Sequence, residues 1–188
     1  MQLRLSRLTS LLFIVGLIIT SACSKSSDPV PLGAQKNAVL LAGDKGKSKQ
    51  WKLKEIDYLL PGKTIQSIPF DDCFLDNVYT FTNNDVQDYA ATEGAKSCTT
   101  TAPNSIEKGT WVFTLDGLKI SIAVDQTYST NGIFSPEAIL GSDGNAYNIL
   151  TPFPATVKAL TATSMVLEIS EIVGTSGTVK YTLMFIPI

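Results

Sequence analysis

The chain has no histidine in its 188 residues, and its only arginines are Arg4 and Arg7. Without imidazole there is no Ser-His-Asp triad, no Cys-His pair and no histidine-based zinc site. Carboxylates and lysines can still move protons, but the usual general base is missing. Without arginine beyond residue 7 there is no bidentate fork for phosphate or carboxylate, and lysine supplies only point charges. Charge is sparse: 15 basic residues stand against 17 acidic ones, net −2. No Lys/Arg cluster of the kind that follows a nucleic-acid backbone is present. The apolar run Leu11–Ile19 spans nine residues, well short of a membrane-crossing helix. These absences argue against most common enzyme designs and against a nucleic-acid partner.

The first residues carry an address. Arg4 and Arg7 precede the run Leu11–Ile19, which Thr20-Ser21-Ala22-Cys23 follows. A basic start, a short apolar core and small residues before a cysteine make a signal peptide over 1–22. The cysteine placement resembles a bacterial lipobox, so Cys23 is expected to become the lipidated first residue of the mature chain. Cleavage by an ordinary signal peptidase after Ala22, and retention as an uncleaved anchor, are the alternatives. The expected location is the bacterial cell envelope, lipid-anchored, at the outer membrane. Loss of both arginines leaves 13 basic and 17 acidic residues, a net charge of −4. Residues 23–48 read as a flexible tether, with Pro29, Pro31, Gly43 and Gly46 among small and charged neighbours, a composition that buries too little apolar surface to offset ordering.

Cysteine is scarce as well. With Cys23 lipidated, Cys73 and Cys98 remain, and an even pair in an exported domain reads as a disulfide. Two free buried thiols are the other possibility.

The folded domain is expected over 49–188, one domain with chain enough for a core. Trp51-Lys52-Leu53-Lys54 alternates apolar and charged residues, and the apolar set then shifts to Ile56, Tyr58 and Leu60. That parity change predicts a bulge near Lys54-Glu55. Tyr79 and Phe81 share a face of the next strand, and Asn83-Asn84 predicts a turn before a return strand over 86–90. In Gly109–Val124, Trp111, Phe113 and Leu115 alternate on one side of Asp116-Gly117; Leu118, Ile120, Ile122 and Val124 alternate on the other. An Asp-Gly pair between alternating runs predicts a hairpin. Residues 126–154 break the rhythm; Ser135-Pro136 and Gly141 bracket one expected short helix. Ile133, Phe134, Ile139 and Leu140 suit this segment to lie over one end of the fold as a lid. Strands at 156–161, 165–170 and 178–186 close the chain, with Val179, Tyr181, Leu183 and Phe185 on one face. The pattern predicts an all-β fold: an antiparallel up-and-down barrel of about eight strands, with one short helix in a long loop.

The order of motifs resembles the lipocalin-like domain of exported bacterial lipoproteins. The matching residues are Trp51 opening the first strand, Asp71-Asp72-Cys73 with Asp76, and Tyr79-Thr80-Phe81. Cys98, the Gly109-Thr110-Trp111 hairpin and Thr182-Leu183-Met184-Phe185 complete them. The resemblance implies an antiparallel lipocalin-like barrel, a disulfide and a ligand of undefined identity.

Trp51, Tyr79, Phe81, Trp111, Phe113, Tyr181 and Phe185 form the expected inward aromatic set. They line a ligand cavity or fill a solid core, since eight-stranded barrels are just wide enough to be plugged by side chains. Asp71, Asp72 and Asp76, and separately Asp143-Gly144-Asn145, carry oxygens that suit calcium, but neither spacing is an EF-hand loop, so solvated acidic turns are expected. No catalytic residue, metal or cofactor is assigned. The expected function is binding of a small apolar or amphipathic ligand without catalysis; the alternative is a structural or interaction accessory of an envelope complex with a filled core.

Overall fold

Alternation decides the strands. In β3 (Val78–Thr82) Tyr79 and Phe81 are buried and the residues between them half-exposed; in β11 (Thr178–Pro187) Val179, Tyr181, Leu183 and Phe185 are buried in the same two-residue rhythm. A period of two puts one side of each strand toward the core. The computed structural model describes residues 32–98, 104–128, 132–134, 139–147, 154–172 and 177–188. The expected signal peptide over 1–22, Cys23 and the first part of the expected tether lie outside these residues. Among the described residues no helix is long and apolar enough to cross a membrane.

Eight strands form a ring. β1 (Ser48–Leu59) pairs with β3, followed by β4 (Asp88–Thr92), β5 (Ser105–Phe113), β6 (Lys119–Thr127), β9 (Ala155–Leu160), β10 (Met165–Ile172) and β11, which pairs back onto β1. The ring pairings are antiparallel, and closure runs from Trp51–Pro187 to Leu59–Lys180. Such closure pairs most of the sheet edges. The two-residue β2 (Gln66–Ser67) lies along the far end of β1. A separate hairpin pairs β7 (Ile139–Leu140) with β8 (Ala146–Tyr147).

Several local expectations hold to the residue. The β1–β11 register shifts between Leu53 and Glu55, where the apolar parity changes. Gly117 takes φ +74° in the β5–β6 hairpin, a conformation that favours glycine. Gly109 serves a different need: a β-carbon there would meet the Ala123 carbonyl oxygen at 1.9 Å, beside a register shift between β5 and β6. Cys73 and Cys98 form a disulfide with a Cα separation of 5.2 Å. It ties α2 (Asp72–Leu75), a single helical turn beyond the reach of the sequence reading, to the segment after β4.

Four expectations are corrected. The tether does not extend to residue 48: Gly33–Ala42 form α1, with Ala38, Leu41 and Ala42 buried. Short helices are marginal alone, so tertiary packing makes this one. Its last carbonyls receive donors from the barrel: Trp51 Nε1 to Leu41 O at 2.8 Å, Lys49 Nζ to Leu40 O at 3.1 Å, and Asn83 Nδ2 to Gly43 O at 2.8 Å. Second, Leu115 and Leu118 are not core; they are 75% and 62% exposed, because the hairpin tip carries them beyond the sheet, and Ala34 N donates to Leu115 O at 3.3 Å. Third, Ile139-Leu140 pair as a strand and not as the end of a helix; residues 135–138 of that expected helix lie outside the described residues. Fourth, the return strand begins at Asp88 and not at 86, because Asn84 Oδ1 accepts from Gln87 N at 2.7 Å and Asp88 N at 3.2 Å and so prolongs the turn.

One seam in the ring is short. β6 and β9 pair only at Lys119–Thr156 and Ile120–Ala155, so the rest of β6 has no strand beside it on that side among the described residues. The long connection between these strands sends Ile133 and Phe134 into the core, where both are buried.

Candidate functional site

All seven aromatic residues expected to face inward are buried, but the structure sorts them into groups. Tyr79 meets Phe185 edge-on at 5.5 Å between ring centroids, Phe81 meets Trp111 at 6.3 Å, and Trp111 meets Phe113 at 5.7 Å. Trp51 lies under α1 with Lys49 Nζ 4.1 Å above its ring. Burial lowers the pKa of that lysine. Tyr181 stands apart, its pKa raised first by burial and then by Glu171 and Tyr58. Edge-to-face contacts of this kind suit the ring quadrupole.

Two aromatic residues outside the expected inward set, Tyr89 and the Phe134 of the expected lid, join these rings. Tyr89 lies 5.2 Å from Phe81 and 5.4 Å from Phe134. Phe134 also touches Tyr79 and Phe185, each at 6.2 Å. Phe134 thus bridges rings from β3, β4 and β11, although it belongs to no strand. The alternation around Tyr89 and Ala91 could have revealed the first; the second carries no periodic signal.

Polar groups sit beside these rings. Glu107 is fully buried; its Oε1 accepts from the Tyr89 hydroxyl and from Phe134 N at 3.3 Å. A β-carbon on residue 132 would meet Glu107 Oε2 at 2.3 Å, so Gly132 permits the close approach. The register explains how Tyr79 and Glu107 meet: Tyr79 pairs with Ala91, and Ala91 pairs with Glu107. The small Ala91 side chain between them leaves room for larger neighbours. Burial, then the Glu107 charge, push the Tyr79 pKa well above its usual value; Asn77 works the other way, although neither the Asn77 amide nor Tyr79 Oη completes a hydrogen bond. Burial and then Glu107 raise Tyr89 likewise.

Asp76 Oδ1, Glu93 Oε1 and Ser105 Oγ are also buried without a partner. Each buried unpaired group costs about 1–3 kcal/mol, so their concentration at the end where β3 and β5 begin and β4 finishes is the chief anomaly of the structure. Glu107 was legible in principle, because it continues the 109–111–113 face of β5 by one step. Asn77, Glu93 and Ser105 extend the rhythms of β3, β4 and β5 by one step each, but as polar residues at strand ends they do not mark themselves as inward.

The acidic turns resolve differently. Asp72 pairs with Lys96 at 2.5 Å, which lowers its pKa, and Asp76 Oδ2 accepts from Lys96 N at 2.8 Å. Asp143 accepts from Asn145 N at 3.0 Å and the Tyr147 hydroxyl at 2.8 Å, within the β7–β8 turn. Among the described residues no three acids or cysteines stand together as a metal site. A shallow groove on the outer wall, between Tyr58, Ile65, Glu168 and Lys180, uses the outward residues of β1, β10 and β11.

No curated protein matches the chain. A family model described as a lipocalin-like domain matches residues 48–167. The match begins where β1 begins and runs into β10, taking in the Gly109 hairpin, the Cys73–Cys98 bond and the buried cluster around Glu107. With this match over more than half of the chain, and an eight-stranded antiparallel ring that β11 closes beyond the matched residues, the chain belongs to the lipocalin-like domain family.

Proposed function

We propose that the protein binds a small amphipathic molecule inside its barrel, without catalysis, while anchored to the bacterial outer membrane through lipidated Cys23. The observation that carries this reading is Phe134. Its ring occupies the aromatic interior, yet it comes from a long connection and not from the wall. A ligand takes its place: an apolar body among Tyr79, Tyr89 and Phe185, and a polar end near Glu107. Interiors of this kind join apolar walls to a few fixed polar groups. The lack of histidine, and of arginine beyond residue 7, supports binding over chemistry.

The test is thermal. Lipids or hydrophobic metabolites extracted from the host should raise the melting temperature, as ligands that bind only the folded state must. Phe134→Ala should bind the same compounds more tightly, because the competing ring is gone. The opposite result is a panel that shifts neither wild type nor Phe134→Ala. In that case the interlocked rings are a filled core, and an accessory role in an envelope complex replaces binding. Replacing Cys23 by Ala should release the protein from membranes or stall its processing; unchanged retention and mobility would remove the anchor.

A further inference from the structure

We propose that the end of the barrel where β3 and β5 begin is a receptor for a primary ammonium group, so that the ligand is an amphipathic amine. This deepens the interior-binding reading and rests on it. Asn77 and Tyr79 are fully buried, and neither side chain has a hydrogen-bond partner. Native proteins pair nearly all such atoms. Asn77 lies two residues before Tyr79, and Glu93 two residues after Ala91, which pairs with both Tyr79 and Glu107. The two-residue repeat therefore sets Asn77, Tyr79 and Glu107 on one inward arc, with the half-exposed Glu93 at its edge, its Oε1 buried.

The chemistry of that arc selects the guest. Two carboxylates, an amide oxygen and a phenol oxygen make it rich in acceptors. Among the described residues no lysine ammonium is recorded within it: Lys96 Nζ bonds to Asp72 at 2.5 Å. A carboxylate or phosphate head would add negative charge to a dehydrated site that holds no arginine. An ammonium brings three donors and no acceptor, and the Tyr79, Tyr89 and Phe134 rings offer π faces to a cation. A bare divalent ion is a poorer match, since the acids do not converge as metal ligands among the described residues.

The experiment uses the full chain purified from membranes, with three probes of one shape: 2-phenylethylammonium, its neutral N-acetyl derivative, and 3-phenylpropionate. Calorimetric titration should show the ammonium binding at least tenfold more tightly than the other two. Asn77→Leu and Tyr79→Phe should each erase most of that preference while near-UV circular dichroism stays native. Tyr79→Phe removes one oxygen and keeps the ring, so it carries the test if Asn77→Leu fails to fold. Equal binding of all three probes overturns the ammonium assignment and leaves interior binding standing. Binding of none, with Phe134→Ala equally inert, overturns both. Variants that melt higher while no probe binds would make the cluster a hydration site and end the proposal.

Discussion

The two ends of the barrel solve the same problem in opposite ways. At the α1 end the chain folds back and seals the opening, and the carbonyls of Leu40, Leu41 and Gly43 each receive a side-chain donor from the wall. Lys49 adds a second bond, to Ala162 O at 2.9 Å, and its positive charge suits the negative end of the helix. At the other end Asn77 and Tyr79 are buried with polar atoms unpaired, and the half-buried Glu93 and Ser105 each hold one buried, unpaired oxygen. Helix, hairpin tip and strand ends satisfy one another at the first; the second leaves about 1–3 kcal/mol of desolvation uncompensated at each orphaned group. Satisfied hydrogen bonds are concentrated at the α1 end, and unspent hydrogen-bonding capacity at the other, where the Cys73–Cys98 bond holds the chain instead.

Substitutions should expose this asymmetry. The largest loss is expected from Trp51→Ala, which empties a fully buried site and frees the Leu41 carbonyl. About 3–5 kcal/mol is typical for such truncations, read as a drop in the chemical-denaturation midpoint. A loss below about 1 kcal/mol would mean that α1 does not hold its end closed. Replacing both Cys73 and Cys98 by Ser opens a loop of 25 residues at the other end and should cost roughly 3 kcal/mol on the chain-entropy model; a midpoint unchanged under reducing conditions would contradict it.

Alkaline pH sharpens the comparison further. Burial keeps Tyr79 and Tyr89 protonated in the folded chain well above their ordinary value, whereas tyrosines of the unfolded chain ionise near pH 10. Above that pH the unfolded state binds fewer protons. Stability is therefore intact below about pH 10 and falls as pH rises, by up to ~1.4 kcal/mol per pH unit for each tyrosine. Tyr89→Phe should flatten that slope, and an identical slope would place the titration elsewhere. Tyr79→Phe at neutral pH should be nearly neutral or stabilising, by about 1 kcal/mol at most, because it removes an oxygen that has no partner; a clear loss would show that the oxygen is paired in solution. The smallest effect is expected from Asp72→Asn, which breaks a solvent-exposed pair with Lys96 and should leave the melting temperature where it was.

Much of the architecture was readable from local rules. Alternation fixed the faces of β3, β5 and β11, the parity change located the bulge beside Lys54, Asp116-Gly117 marked the hairpin, and the expectation of export made the pair Cys73 and Cys98 read as a bond. Each depends on neighbours in sequence or on a single pairing choice. The tertiary structure decided the rest. Gly33–Ala42 carries no strong amphipathic signal and is a helix because the barrel offers its carbonyls donors and its leucine a pocket. Leu115 and Leu118 keep the rhythm of their strands and still point to solvent, because the turn lifts them past the last ring contact. Phe134 enters the core from an aperiodic segment, and Asn77 is fully buried just ahead of β3. A period reports which face a residue shares; only the closed ring determines which end is covered, by what, and which polar atoms are left without water.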